Sequence, residues 1–416
     1  MESKEDRFNR YQNLIQNIVL HETEKSFSSL IENNLNYFRG FKVMYSTNNT
    51  KANLGYLQLS DIENKCSTIK KYFYGTGLLF YTDDIYKKHL DSKDVDILLD
   101  YSLSLDSNAA EYFRIWENGG NLGTEKKRFE CLVRFIKDGE SDGFNFDYSF
   151  FILENLLDSL KEENKRPLNS IRALKRFDHL SYDRNDFDLW NPYFDESREI
   201  AEKRALDAIE SFQESIIIKD LLLRRKVLYA VFIKAVLLNL NNTKSMFEKM
   251  TDLLTFMLDK IGKFAKTEFY FAWKMLKHGN SFPFFEPARN LNHKTVKKIR
   301  GMSWDLFAYR YQEVLLMNHK GEFFIPFFAS FDKRYIELSH ACPIRAVVID
   351  EVNNVINTCF LDELEFQLDL QQAMEMYHRT KLEDQTKKLE RYHSKISETM
   401  VDQVISVLES ELTEHC

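Results

Sequence analysis

Four carboxylates of the 416-residue chain stand where short strands are expected to end or helices to begin. Asp106 closes the first such strand, in LDSN. Glu154 lies inside FFILENLL, between Phe150, Phe151, Ile152 and Leu153 on one side and Leu156 and Leu157 on the other. Asp305 opens SWDLFAYRYQE, behind Ser303 as a candidate N-cap. Asp332 follows a strand, in FFASFDKR. Ligands of an open α/β sheet bind beyond the carboxyl ends of its strands, so Asp106 and Asp332 would both face that crevice. Converging carboxylates repel unless a cation sits among them. Oxygen donors suit Mg²⁺ or Mn²⁺. Such a centre can activate water and stabilise the leaving oxygen of a phosphodiester. Any one Asp after a strand also serves as an ordinary turn or cap residue. Glu154 differs, because a carboxylate among so many apolar neighbours must be paired or coordinated if it is buried.

The surrounding pattern says which elements would position these acids. DVDILLDYSLSLDSN, residues 94 to 108, reads as a buried strand near 96–105. FFIPFFASF predicts a strand near 325–331, with Pro326 placing its start further on, since a central strand rarely holds proline. IRAVVID predicts a third strand near 345–349, and GTGLLFY, from Gly75, a short one after a turn. No Gly or Pro occurs from 193 to 261, and apolar residues recur there at helical spacing. Residues 351 to 416 also lack both and read as one or two long helices. The expected fold is α/β, a parallel sheet flanked by helices and interrupted by a large helical insertion. Its parts are a mainly helical N-terminal region (1–90), a first half of the core (91–160), the insertion (161–290), a second half (291–350) and C-terminal helices (351–416).

Composition narrows the function classes. Thirteen glycines and six prolines are less than half the usual share, which argues against a turn-rich sandwich and against many glycine-rich phosphate loops. A net charge of −7 argues against broad coating of nucleic acid but leaves room for a local basic strip. Five scattered cysteines without a CxxC pair support neither a zinc ribbon nor a disulfide framework, and suit a reducing cytosol. The charged N-terminus shows no secretory signal. The apolar stretch 216–240 is interrupted by six charges and reads as a buried helix, not a membrane span.

Taken in order, LDSN, the apolar-helix Glu, the helix-start WDL and SFD after a strand resemble the PIN nuclease superfamily. IRAVVID resembles that family's closing strand. The likeness covers two blocks, roughly residues 90 to 160 and 295 to 350, separated by far more chain than a compact PIN domain has. It implies metal ligation by Asp106, Glu154, Asp305 and Asp332, with Glu130 and Asp147 as alternatives to Glu154. It also implies that Asn108 and Ser330 support the ligands. Arg310, one and a half turns after Asp305, could face the same crevice and hold a phosphate. The family implies RNA rather than DNA as substrate, and a role as a toxin or in defence against phage.

Lys294, Lys297, Lys298 and Arg300 precede Asp305, and Lys333 and Arg334 follow Asp332, a pattern that suits either a phosphate track or a solvated helix face. Phe282, Phe284, Phe285 and Trp304 could stack bases or fill a core. Two other readings compete. Asp94 and Asp96, after Gly75-Thr-Gly77, faintly resemble the Asp-x-Asp of a nucleotidyltransferase. A non-catalytic interaction protein is the second, pairing with itself or a regulatory partner through the C-terminal stripe Val401, Val404, Leu408 and Leu412.

Overall fold

A computed structural model describes residues 2–21, 26–48, 56–91, 97–140, 145–159, 161, 163–317, 323–380 and 395–416. The chain is mixed α/β and divides into two units. Unit 1 comprises Met1–Lys219, Tyr311–Lys333 and Ile344–Cys359, and unit 2 comprises Asp220–Arg310, Arg334–Pro343 and Phe360–Cys416.

Unit 1 carries two sheets. One contains β1 (Lys42–Thr47) and β2 (Tyr56–Gln58); the other begins with β3 (Ile69–Lys71). Then come β4 (Gly77–Tyr81), β5 (Leu99–Leu105), β6 (Asn145–Asp147), β7 (Phe323–Ala329), β8 (Ile344–Asp350) and β9 (Val355–Phe360, whose last residue falls in unit 2). The five-stranded sheet has the order β2-β4-β1-β8-β9, and β1 runs antiparallel to both β4 and β8. The four-stranded sheet has the order β3-β7-β5-β6. Here β5 is parallel to both β7 and β6, while β3 is antiparallel to β7.

The three strands expected around the acids and the short one after Gly75 all form. Gly75 has φ +77°, and a Cβ there would lie 2.8 Å from the Thr47 carbonyl oxygen, so the turn into β4 needs glycine. Three expectations change. Pro326 lies inside β7, opposite Ser102 of β5. It is tolerated because β3 pairs only with residues 327 to 329, which leaves that flank of β7 open at the proline. IRAVVID is not a strand of the parallel sheet, since β8 pairs with β1 in the other one. Residues 351–416 are not all helix. They begin with β9, followed by the helices Glu363–Thr380 and Glu398–Glu414. Among its described residues the N-terminal region likewise holds four helices but also supplies β1 to β4.

Helices cover the four-stranded sheet within unit 1. The helix Ser107–Glu117 buries Ala109, Ala110 and Phe113. Phe113 packs 4.9 Å from Phe129 and 4.7 Å from Phe177, on the helices Lys126–Glu140 and Arg166–Asp178. The same helix ends on Glu117, which meets three guanidiniums. Arg176 lies 2.6 Å away, Arg198 2.8 Å and Arg172 3.1 Å. Residues 161–219, expected in the insertion, therefore belong with the sheets, and the separate helical body starts at Asp220.

Unit 2 is built on helices. Tyr270 stacks on Phe360 at 3.6 Å beside Phe366 and Trp273. The stripe Val401, Leu408 and Leu412 is buried within this unit. Lys226 bonds Glu398 and Asp402 of that last helix, so the face offered for an outside partner is largely used internally. Phe284 and Phe285 are also buried core residues. Among the described residues, no helix is long and apolar enough to cross a membrane.

Candidate functional site: acids at the ends of parallel strands

The parallel strands of unit 1 deliver their carboxyl ends together, and each ends on or beside an acid. Asp106 follows β5, Asp147 is the last residue of β6, and Ser330 and Asp332 follow β7. Asp106 is the N-cap of the Ser107–Glu117 helix and accepts the Ala109 N–H at 2.6 Å. Its other oxygen accepts the Ser330 hydroxyl. Ser330 Oγ in turn accepts the Asp332 N–H at 3.0 Å, so one serine ties both strand-end aspartates. Glu154, on the helix Ser149–Ser159, accepts the Ser107 hydroxyl at 2.5 Å. Asn155 donates to the same Ser107 oxygen at 2.9 Å. Asp147 accepts the Ser149 N–H at 2.8 Å and the Tyr311 hydroxyl at 3.0 Å.

The electrostatics follow from this placement. Burial pushes the Asp106 carboxyl up to about 7. The Ser330 hydroxyl and the Ala109 N–H pull the other way, and the negative charges of Glu154 and Asp332 add to the rise. Asp106 is buried, whereas Glu154 and Asp332 are half-buried. Asp106 thus lies within reach of the charges of both other acids.

Asp305 lies inside a helix, not at a helix start behind an N-cap Ser303. It belongs to unit 2, on the helix Thr295–Met317, of which only the part from Tyr311 belongs to unit 1. Arg310, read as a phosphate clamp, is an ion-pair partner of the buried Glu268 at 3.0 Å, also in unit 2. Lys297 and Lys298 belong to unit 2 as well, and Arg300 there pairs with Glu409 at 2.6 Å. Lys333 is exposed and directly follows Asp332. Asn108 is exposed, and among the described residues no hydrogen bond links it to the acids. Its neighbour Ser107 makes that link instead. Both are legible in LDSN, but helix phase decides which one faces Glu154. Of the alternatives to Glu154, Glu130 pairs with Arg134, and Asp147 keeps a strand-end position. Asp94 and Asp96 lie outside the described residues.

As placed, no group of three or more His, Cys, Asp or Glu side chains among the described residues could hold a metal ion. The donors nevertheless fit Mg²⁺ or Mn²⁺ in kind. They are oxygens only, and Mg²⁺ keeps several waters and takes one or two carboxylates rather than a closed protein cage. Ser104 Oγ adds to the fit. It is buried without a hydrogen-bond partner among the described residues, and it stands two residues before Asp106 on the same face of the strand.

Ser330→Ala is expected to raise the Asp106 titration midpoint above about 7. A hydrogen bond to a carboxylate is worth about 1.5–3 kcal/mol, so the rise should be about one to two pH units. Carboxyl-carbon NMR titration reads it, and an unmoved midpoint would show that Ser330 does not hold the charge.

No family model, curated protein or solved structure matches the chain.

Proposed function

We propose that unit 1 is a metal-dependent nuclease that hydrolyses phosphodiester bonds, with Asp106, Glu154 and Asp332 holding Mg²⁺ or Mn²⁺. The single observation that carries this reading is the raised Asp106 carboxyl, buried at the end of a parallel strand within reach of the charges of Glu154 and Asp332. A buried acid that senses two other acids is a natural seat for a divalent cation, which favours the charged forms of all three. When bound, the cation would supply an activated water and positive charge at the leaving oxygen. The chain's own residues do the rest. Ser330 orients Asp106 and the backbone of Asp332, while Ser107 and Asn155 fix Glu154. Lys333, exposed beside Asp332, supplies a contact for the phosphate backbone. RNA as the preferred substrate, and a role as a toxin or defence effector, rest on the PIN resemblance.

The test is cleavage of labelled RNA and single-stranded DNA with Mn²⁺, with Mg²⁺ and with EDTA, by wild type and Glu154→Gln. Metal-dependent cleavage that falls at least about tenfold in the variant supports the reading. Equal cleavage in EDTA, or none across a broad panel with either metal, would sink it. Nucleotide addition that needs ATP would turn attention to Asp94 and Asp96.

A further inference from the structure

Two free thiols of unit 1, 65 residues apart in sequence, sit against the same stretch of backbone. Cys66 is buried between the helix Ser60–Lys65 and β3. Cys131 belongs to the helix Lys126–Glu140, and its Sγ donates to the Lys65 carbonyl at 3.0 Å. That carbonyl immediately precedes Cys66, so the contact pins the two chain segments together. Cys131 is half-buried and lines a cleft of about 790 Å³ with Lys65, Lys127, Arg134 and Phe135. The pair is therefore both internally matched and open to small molecules from one side.

We propose that Cys66 and Cys131 form a reversible oxidation site, which closes to a disulfide when a peroxide enters the cleft. The chemistry balances on the two sulfurs. The neighbouring Cys131 thiol holds the Cys66 thiol below its ordinary range, against the effect of burial, and the Thr68 hydroxyl assists. Cys131 is pushed up, so the pair carries one proton between two sulfurs. That proton passes to Cys66 as the Cys131 sulfur attacks the peroxide. The O–O bond breaks, leaving a sulfenic acid on Cys131 and hydroxide, which takes the proton back as water. The Cys66 thiolate then attacks the Cys131 sulfur and expels a second hydroxide, which solvent protonates. Two sulfurs lose one electron each, and one peroxide becomes two waters.

The site has a direct route to the acids. Cys66 Sγ lies 3.0 Å from Thr68 Oγ1, the Thr68 carbonyl accepts the Ser330 N–H at 3.0 Å, and the Ser330 hydroxyl donates to Asp106. A bond between the sulfurs would change the surroundings of the Thr68 hydroxyl, on the residue whose carbonyl holds the Ser330 N–H. Resting on the nuclease reading, oxidation is expected to lower metal-dependent cleavage.

The experiment treats the full chain with hydrogen peroxide, then denatures, alkylates, digests and maps it. A Cys66–Cys131 cross-linked peptide is expected, reversed by dithiothreitol and absent in Cys131→Ser. If that variant unfolds by circular dichroism, Cys131→Ala replaces it, and the wild-type map still decides. Cys416 is exposed and serves as the internal control. If Cys66 and Cys131 stay alkylatable at a peroxide level that oxidises Cys416, or cross-link elsewhere, the proposal is overturned. The second readout is cleavage by oxidised and reduced wild type, where a coupling of ordinary size lowers the rate about fivefold or more and dithiothreitol restores it. Equal rates with the disulfide formed overturn the coupling. No cleavage in either state counts against the nuclease reading and leaves the disulfide standing.

Discussion

Asp106→Asn is expected to abolish metal-dependent cleavage while making the folded chain more stable at neutral pH. The two effects have one cause. The wild-type carboxyl is buried, and its ionisation is shifted from 3.8 up to about 7. A group raised in this way contributes stability that is fully present below its unfolded value and is lost as pH rises through its folded one. Wild type should therefore lose stability relative to the variant between about pH 4 and pH 7, and the gap should stay flat above. A shift of this size corresponds to about 4 kcal/mol as an upper figure. The amide of the variant would mimic the protonated acid, since it can still accept the Ala109 N–H while Ser330 turns its hydroxyl. Urea unfolding in EDTA at pH 5 and pH 8 measures the effect. Saturating Mn²⁺ at pH 8 should then stabilise wild type alone, by about 2.7 kcal/mol at a hundredfold excess over Kd. Cleavage by the variant should fall at least about a hundredfold, because a neutral amide cannot supply the charge that a divalent cation needs. A variant that folds, gains no stability at pH 8 and still cleaves would remove Asp106 from the centre.

Glu117→Gln should be the most destabilising single change in unit 1 outside its apolar core, at about 3–5 kcal/mol. Burial alone would raise this carboxyl. Arg176, Arg172 and Arg198 outweigh it and hold the group below its usual range. The side chain is 1% exposed, and those of Arg172 and Arg176 are 11% and 14% exposed, so the amide would take the nearest counter-charge from two shielded cations, leaving Arg172 with Glu202 at 3.9 Å. Arg198 is half-exposed and adds less. The linkage has the opposite sign to that of Asp106. A depressed acid contributes stability above its unfolded value and loses it as pH falls through its folded one. The deficit of Glu117→Gln, read by urea unfolding, should thus be full at pH 7 and shrink below about pH 4. A loss under about 1 kcal/mol at pH 7 would mean that the three arginines are held by solvent instead. Because Glu117 ends the helix that Asp106 begins, cleavage by the variant also tests how firmly that helix holds the site.

The strand ends were legible from local chemistry. An apolar run that stops at Asp-Ser-Asn defines both the end of β5 and the cap of the next helix, because the cap bond from Ala109 to Asp106 spans only three residues. The same holds for β7 and the Ser330–Asp332 turn. Glu154 was legible as an acid needing a partner, and its partner Ser107 lies in the motif already singled out. These features depend on residues close in sequence, where period and capping leave few choices.

The tertiary structure decided what has no local signature. Apolar periodicity says which face of a strand is buried but not which strand lies beside it, so IRAVVID read equally well as a parallel strand and as the antiparallel neighbour of β1. Proline in β7 was acceptable only because β3 is short. Ser-Trp-Asp has the local pattern of a helix start, yet Asp305 lies in the interior of the helix Thr295–Met317, in unit 2, because packing of the whole helical body sets where that helix begins. Glu117 among its arginines and Cys66 against Cys131 are likewise meetings of segments whose spacing carries no period. By itself, then, the sequence determined the mixed α/β class and two aspartates at strand ends, Asp106 and Asp332, because capping and alternation act over a few residues. Only the tertiary structure decided which acids share a sheet end, because strand pairing is settled by competition among contacts far apart along the chain.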